Sequence, residues 1–185
     1  MAEFPEDSIL LELCREPGSK EKGFTTLVYK YQERIYWHVR RMVINHEDAN
    51  DLVQNVFIKV WKHLDGFREE STLFTWLYRI ATNECINFLN QQKSKRHISI
   101  DQDSNHSLEL FLKQDDSFNA NKLEWKLQEA ILQLPDKQRI VFNLRYFDEM
   151  PYEKMSQILE TSVGALKASY HHAVKKIELF IRSGE

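Results

Sequence analysis

The sequence predicts an all-α fold of two small helical domains joined by an acidic flexible linker, the second domain carrying a helix-turn-helix. Apolar residues recur at helical spacing, and no run alternates with the period of two that marks a half-buried strand. Glycine and proline, five and four of 185 residues, are too few for an all-β fold. A polar, acid-rich segment at 98–120 separates two helical stretches, so we expect domains at 20–97 and 121–183.

The first domain is predicted to contain three long helices, with a short helix in front of them. Asn45 is the expected N-cap of the second long helix, and Gly66 stands where a C-terminal stop is expected. Ser71 or Thr72 can cap the third. The helices are expected at 8–14, 24–43, 49–64 and 73–90.

The predicted helix at 49–64 has two contrasting faces. Its apolar stripe, expected to face a core, consists of Ala49, Leu52, Val53, Val56, Phe57, Val60, Trp61 and Leu64. A turn of about 100° per residue gathers a mainly polar set on the opposite face: Asp48, Asp51, Asn55 and Ile58, with Gln54 at the flank. Ile58 is the one apolar member. The face is either a solvated acidic surface with a stray aliphatic residue or a docking surface for a partner protein.

The second domain is predicted to contain about four short helices, the last two forming a helix-turn-helix. Pro151 suits the first turn of one helix, and Ser162 closes the three-residue turn at 160–162 and can cap the next. The face of that last helix away from its apolar side combines small and basic residues: Gly164, Ala165, Ala168, His171, His172 and Lys175, with Lys167 and Ser169 at its edges. Such a face suits the DNA major groove, and an ordinary amphipathic hairpin is the alternative.

Charge and composition exclude several classes of protein. The net charge of −3 argues against coating nucleic acid by bulk electrostatics, although 90–97 and 163–177 are locally basic and free of acids. Two cysteines are too few for a four-ligand zinc site, and His171 and His172 lack a carboxylate or cysteine at the required spacing. We expect no metal, no cofactor and no catalytic residues. With no apolar run of about 18 to 20 residues and no signal sequence, a cytoplasmic protein without membrane insertion is expected.

The residues at 48–61 resemble those of a known family, the extracytoplasmic-function (ECF) group of bacterial sigma factors within the sigma-70 family. The most specific match is Asp48-Ala49, Asp51, Leu52-Val53-Gln54, Phe57 and Trp61. The resemblance implies that this helix docks on the clamp coiled coil of the polymerase's largest subunit. The expected contact residues are Asp48, Asp51, Leu52, Val53, Gln54, Asn55 and Ile58.

The same resemblance implies promoter contacts in both domains. The segment 75–83 is similar to the family's minus-ten melting region, in which Asn83 faces the non-template strand and Asn87 follows one helical turn later. The loop Asp65–Thr72 resembles the segment that receives a flipped base, with Phe67 and Arg68 as expected contacts. The expected minus-thirty-five contacts are Lys167, Ala168, His171, His172 and Lys175.

The helix-turn-helix departs from the usual family pattern. Glu160 stands where the turn glycine is usual, Ala168-Ser169 where Ser-Arg is typical, and His172 where arginine is typical. A residue other than glycine at a left-handed turn position costs on the order of 1 kcal/mol.

The resemblance implies a sigma factor that binds core RNA polymerase and directs promoter-specific initiation. Its partners would be promoter DNA, the clamp coiled coil and flap region of polymerase, and an anti-sigma factor, which in this family is often membrane-attached. Two alternatives stay open at this point. One is a stand-alone helix-turn-helix regulator whose first domain senses a ligand or dimerises, and the other is a helical enzyme.

Overall fold

The computed structural model describes residues 4–43, 45–98 and 122–183, with side chains omitted at 95–98 and 122–125. All regular secondary structure in these ranges is helical, which confirms the all-α prediction. The predicted linker, apart from its first residue, lies outside the described residues. Contacts divide the chain into two units, Met1–Cys85 and Ile86–Glu185, and each is described by itself.

The first unit contains the helices predicted for it, with longer ends. The helix predicted to begin at Phe24 begins at Lys20, and the one predicted to end at Asn90 continues to Ile98, past the boundary between the units. A 3-10 turn, Leu64–Gly66, follows the third helix. The four helices are α1 (Asp7–Arg15), α2 (Lys20–Val43), α3 (His46–His63) and α4 (Leu73–Ile98).

Short-range hydrogen bonds confirm two of the predicted caps. The backbone N–H of Asp48 donates to Asn45 Oδ1 at 3.0 Å, and that of Thr75 donates to Thr72 Oγ1 at 3.2 Å. The prediction that Gly66 stops α3 is wrong. The chain passes through Leu64 in a right-handed conformation into the 3-10 turn, and none of the described glycines has a positive φ.

The contact between α1 and α2 depends on a buried glycine. A Cβ atom added at Gly23 would lie 2.8 Å from the backbone nitrogen of Cys14, closer than real Cβ atoms approach. At the other end of α1, Tyr31 Oη donates to Asp7 Oδ1 at 2.6 Å and Lys30 Nζ reaches the same oxygen at 2.8 Å. Burial first, and then the hydrogen bond to Asp7, raises the pKa of Tyr31, so its hydroxyl stays protonated and donating.

A buried polar contact joins α2 to α4. His38 is fully buried, and its Nε2 lies 3.0 Å from Thr82 Oγ1. The His38 ring also lies 4.9 Å from the ring of Tyr78, measured between centroids. The helix that carries the predicted melting residues is therefore joined to α2 by specific buried contacts of His38.

The second unit contains the predicted four helices, and the last is the long one. Helix α8 packs against each of the other three. The core of this unit contains Ala130, Ile131, Leu134, Phe142, Ala173 and Ile177. The helices are α5 (Lys122–Leu132), α6 (Asp136–Tyr146), α7 (Tyr152–Leu159) and α8 (Val163–Ser183).

A three-residue turn joins α7 and α8, as the sequence predicts. The backbone N–H of Ala165 donates to Ser162 Oγ at 3.3 Å, which confirms Ser162 as a cap. Glu160 has φ 50° and ψ 40°, in the left-handed region where glycine is least strained. The turn thus holds a glutamate at a position that costs on the order of 1 kcal/mol for a residue with a Cβ atom.

We expect Glu160→Gly to slow amide exchange throughout α7 and α8, because it removes left-handed strain of up to about 1 kcal/mol. Hydrogen exchange is the measurement, since it reports the opening of this unit by itself. The control is Glu178→Gly, at an exposed right-handed position of α8, which should speed exchange by the equivalent of about 0.5–1 kcal/mol. Faster exchange in both variants would contradict the strain at Glu160.

Candidate protein-binding and nucleic-acid interfaces

Helix α3 presents most of the predicted docking residues to solvent. Ile58, the apolar member of the polar face, is 45% exposed, whereas Leu52 is only 6% exposed and belongs to the core. Asp48 and Val53 are partly buried. The exposed members of the predicted set are Asp51, Gln54, Asn55 and Ile58. These four side chains lie on adjacent turns of α3 and form one exposed patch.

An apolar groove of about 590 Å³ runs between α2 and α3, beside this patch. Helix α2 contributes Phe24, Val28 and Gln32 to it. Helix α3 contributes a larger set: Asn50, Asp51, Val53, Gln54, Phe57, Ile58 and Trp61. Three members of the predicted docking patch thus border a groove with apolar walls, which is a suitable place for a helix of another protein.

Trp61 was predicted to face the core, and that prediction is wrong. Its side chain is 37% exposed and forms part of the groove wall. The ring packs edge-on against Phe24, with centroids 4.8 Å apart, and Lys20 Nζ lies 5.2 Å from the indole centroid. Helical spacing assigns Trp61 to the apolar stripe, but it does not tell where along that stripe the neighbouring helix leaves a gap.

Acidic groups concentrate at the N-terminal end of α3. Burial raises the pKa of the Asp48 carboxyl, and the nearby charges of Asp51 and Glu47 raise it further. Glu47 and Asp48 nevertheless lie in the first turn of α3, where the positive end of the helix dipole favours negative charge. The result is a compact acidic region beside the apolar groove, complementary to a basic partner surface.

The loop Asp65–Thr72 separates its two predicted contact residues. Arg68 projects outward, with its side chain 84% exposed. Phe67 is 7% exposed, and its ring lies 4.8 Å from the ring of Trp76, at an angle of 32°. Phe67 therefore forms part of the floor under the loop, and Arg68 is the member of the pair that solvent reaches.

Two cations outside this loop hold it, and the sequence patterns did not indicate them. Arg15 Nη1 donates to Glu69 Oε1 at 2.6 Å, and Arg15 Nη2 donates to the carbonyl oxygen of Phe67 at 3.0 Å. Lys20 Nζ lies 2.7 Å from both carboxylate oxygens of Asp65. Both cations come from the junction between α1 and α2, far from the loop along the chain.

The predicted contact residues on α4 and α8 are exposed. Asn83 and Asn87 reach solvent on α4, four residues apart and so on one face of the helix. On α8 the side chains of Lys167, Ala168, His171, His172 and Lys175 are all exposed. Lys167 Nζ lies 5.7 Å from the ring centroid of Tyr152 on α7. The exposed face of α8 thus combines small and basic residues, as a helix that enters the major groove requires.

None of the helices in residues 4–43, 45–98 and 122–183 is both long and apolar enough to cross a membrane. Within the same ranges, no three histidine, cysteine or acidic side chains gather closely enough to hold a metal ion.

Both helical stretches match family models. Residues 27–95 match Sigma-70 region 2, and residues 124–177 match Sigma-70, region 4. The chain is 31% identical over 185 residues to the ECF RNA polymerase sigma-E factor of Haemophilus influenzae, which covers 96% of each protein. It is 32% identical over 186 residues to the sigma-E factor of Escherichia coli K12, covering 96% of this chain and 95% of that one. The SigW factor of Bacillus subtilis is 29% identical over 169 residues, covering 88% and 90%.

Two solved structures have a similar fold. One is CnrH in complex with the cytosolic domain of CnrY, with a TM-score of 0.69 and 20% identity, covering 97% of this chain and 99% of that one. The other is the sigma factor RpoE in complex with the anti-sigma factor NepR from Bartonella quintana. Its TM-score is 0.67 and its identity 19%, covering 87% of this chain and 98% of that one. The helical arrangement is therefore one that known proteins adopt.

Proposed function

We propose that three surfaces of this chain, which belongs to the extracytoplasmic-function group of sigma-70 RNA polymerase sigma factors, have separate roles in transcription initiation. The protein directs transcription initiation by RNA polymerase, which sets aside the stand-alone regulator. Helix α3 and its groove hold core polymerase. Helix α4 and the loop Asp65–Thr72 bind the minus-ten element of the promoter, and α8 binds the minus-thirty-five element. The protein has no catalytic step of its own.

The observation that carries the polymerase contact is the groove between α2 and α3, with Ile58 at its edge. Ile58 is 45% exposed although it lies on a polar face, and Asp51 and Gln54 line the same groove. A helix or coiled coil bound there would bury Ile58 and part of Trp61 and would leave the carboxylates at the rim. This is the contact that we assign to the clamp coiled coil of the polymerase's largest subunit.

The minus-ten contact is assigned to α4 because exposed amides and a cation are suited to an unstacked strand. Asn83 and Asn87 offer donors and acceptors from one face of the helix, and Arg68 is exposed in the neighbouring loop. Phe67 lies beneath the loop and supports it from below. Asn83, Asn87 and Arg68 would contact a flipped base of the non-template strand and its phosphates.

We also propose an anti-sigma factor as a regulatory partner. Two similar solved structures are complexes, CnrH with the cytosolic domain of CnrY and RpoE with the anti-sigma factor NepR. A partner that covers the groove between α2 and α3 would compete directly with polymerase, since both would use the same apolar surface. We assign the chain to the cytoplasm, where its polymerase is.

For the polymerase contact, Asp51→Arg combined with Gln54→Ala should raise the Kd for core polymerase at least about tenfold, or about 1.4 kcal/mol. The reason is that both side chains border the groove and lie outside the core. Stability should change by less than about 0.5 kcal/mol. Binding of labelled protein to purified core measures the effect. The control is Glu33→Arg, an exposed acid of α2 outside the groove lining, and an unaltered Kd in the double variant would refute the contact.

For the minus-ten contact, Asn83→Ala should lower the ratio of open to closed promoter complex about tenfold, or about 1.4 kcal/mol. Closed complexes should form normally, because the partner of Asn83 is an unstacked base and not duplex DNA. Permanganate reactivity of promoter thymines measures opening. Glu33→Ala, at an exposed position of α2 away from the face of α4 that carries Asn83, is the control. Equal loss of closed and open complexes would point to a defect of folding.

For the minus-thirty-five contact, Lys175→Ala should weaken binding about equally on all sequences and lower the salt slope by about one unit, as loss of a phosphate contact does. Lys167→Ala should cost roughly 1–3 kcal/mol on the preferred sequence and relax the choice at one base pair. Binding to a panel of upstream-element variants at two salt concentrations separates the two effects. The control is Lys176→Ala, the adjacent exposed lysine. If Lys167, Ala168, His171 and Lys175 can all be replaced without changing promoter choice, α8 does not read the groove.

A further inference from the structure

We propose that Arg15, the last residue of α1, is a positioning residue for promoter opening. It acts by holding the loop Asp65–Thr72 in the shape that presents Arg68 to the single strand. This inference rests on the proposed minus-ten role of that loop. Helix α1 lies outside the segment 27–95 that matches Sigma-70 region 2, so the inference extends the opening machinery beyond the matched region.

Arg15 forms hydrogen bonds to the two residues that flank Arg68 in the loop. One guanidinium nitrogen donates to the side chain of Glu69 at 2.6 Å, and the other donates to the backbone carbonyl of Phe67 at 3.0 Å. A planar guanidinium fixes the direction of both bonds, unlike a rotating ammonium group. The residues immediately before and after Arg68 are therefore held in a defined orientation, and Arg68 is directed outward between them.

The backbone of the loop needs such a restraint. Glu69 has a φ of 59°, in the left-handed region that residues with a Cβ atom rarely adopt. A strained conformation of this kind persists only where surrounding contacts over-determine it. The ion pair to Arg15 is one such contact, because it joins the side chain of the strained residue to another helix.

The helix junction that carries Arg15 is itself fixed. Gly23 permits the close approach of α2 to the backbone of Cys14, directly before Arg15. Ser19 Oγ donates to the carbonyl oxygen of Leu13 at 3.0 Å, which closes the end of α1. Lys20 Nζ lies 2.7 Å from the carboxylate of Asp65, the first residue of the loop. The loop is thus held at its first residue and at its middle by cations from one helix junction.

The test compares Arg15→Ala, Glu69→Ala and the double variant in holoenzyme on a promoter. We expect Arg15→Ala to lower the ratio of open to closed complex by about three- to tenfold, or about 0.7–1.4 kcal/mol. The double variant should be no worse than Arg15→Ala alone, because Arg15→Ala already removes the ion pair that Glu69→Ala removes. Arg15→Lys should recover part of the loss. The Kd for core polymerase should not change, since the groove between α2 and α3 is intact.

A second readout uses the free protein. In Arg15→Ala, amide exchange at Phe67–Glu70 should become faster while the amides of α3 stay protected, which a general loss of stability would not produce. Lys22→Ala, an exposed lysine at the same end of α2, should leave opening and exchange unchanged. Multiplying effects in the double variant, or unchanged loop exchange, would overturn the proposal.

Asn83→Ala, measured in the same series, separates this inference from the proposed function. If Asn83→Ala impairs opening and Arg15→Ala does not, the positioning role of Arg15 is wrong and the minus-ten assignment stands. If neither variant impairs opening, both proposals fail.

Discussion

Three helices pack on α2, and each surface assigned a role in the first unit is held by one of them. Helix α3 packs along α2 and leaves the groove between them open at Trp61. Helix α4 is fixed to α2 by the buried contact between His38 and Thr82. Helix α1 is fixed by the close approach at Gly23. Because all three helices contact α2, a displacement of α2 would affect the surfaces proposed for docking, melting and loop positioning together.

The parts of the structure that the sequence predicted correctly are those that depend on neighbours three or four residues apart. Asn45, Thr72 and Ser162 cap helices through side chains that bond three residues ahead, and such chemistry is visible in a short window. The prediction for Gly66 was wrong because α3 is followed by a 3-10 turn that includes Gly66, and glycine has no special advantage in such a turn. Helical spacing also gave the exposed face of α3 with Ile58, but it placed Trp61 in the core.

The pairs that the sequence could not predict join residues far apart in the chain. Arg15 and Glu69 are 54 residues apart, and an arginine and a glutamate at such a separation carry no pattern that distinguishes them from any other surface pair. Their meeting depends on the angle between α1 and α2, which Gly23 permits, and on the unusual φ of Glu69. Tertiary geometry of this kind is absent from periodicity and from capping rules, so local patterns predict the ends of the loop but not the side chains that support it.

The positive φ angles of Glu69, Glu149 and Glu160 have a genetic consequence. A single-nucleotide change converts either glutamate codon into a glycine codon, and glycine is the residue for which these backbone conformations cost least. Each of these turns is therefore one mutation away from a relaxed backbone. At Glu69 the same mutation would also delete the carboxylate that pairs with Arg15 and leave the bond to the Phe67 carbonyl, so strain would be relieved and the anchor weakened together. A single substitution at that codon would lower the backbone strain and loosen the loop in one step, without passing through an intermediate amino acid.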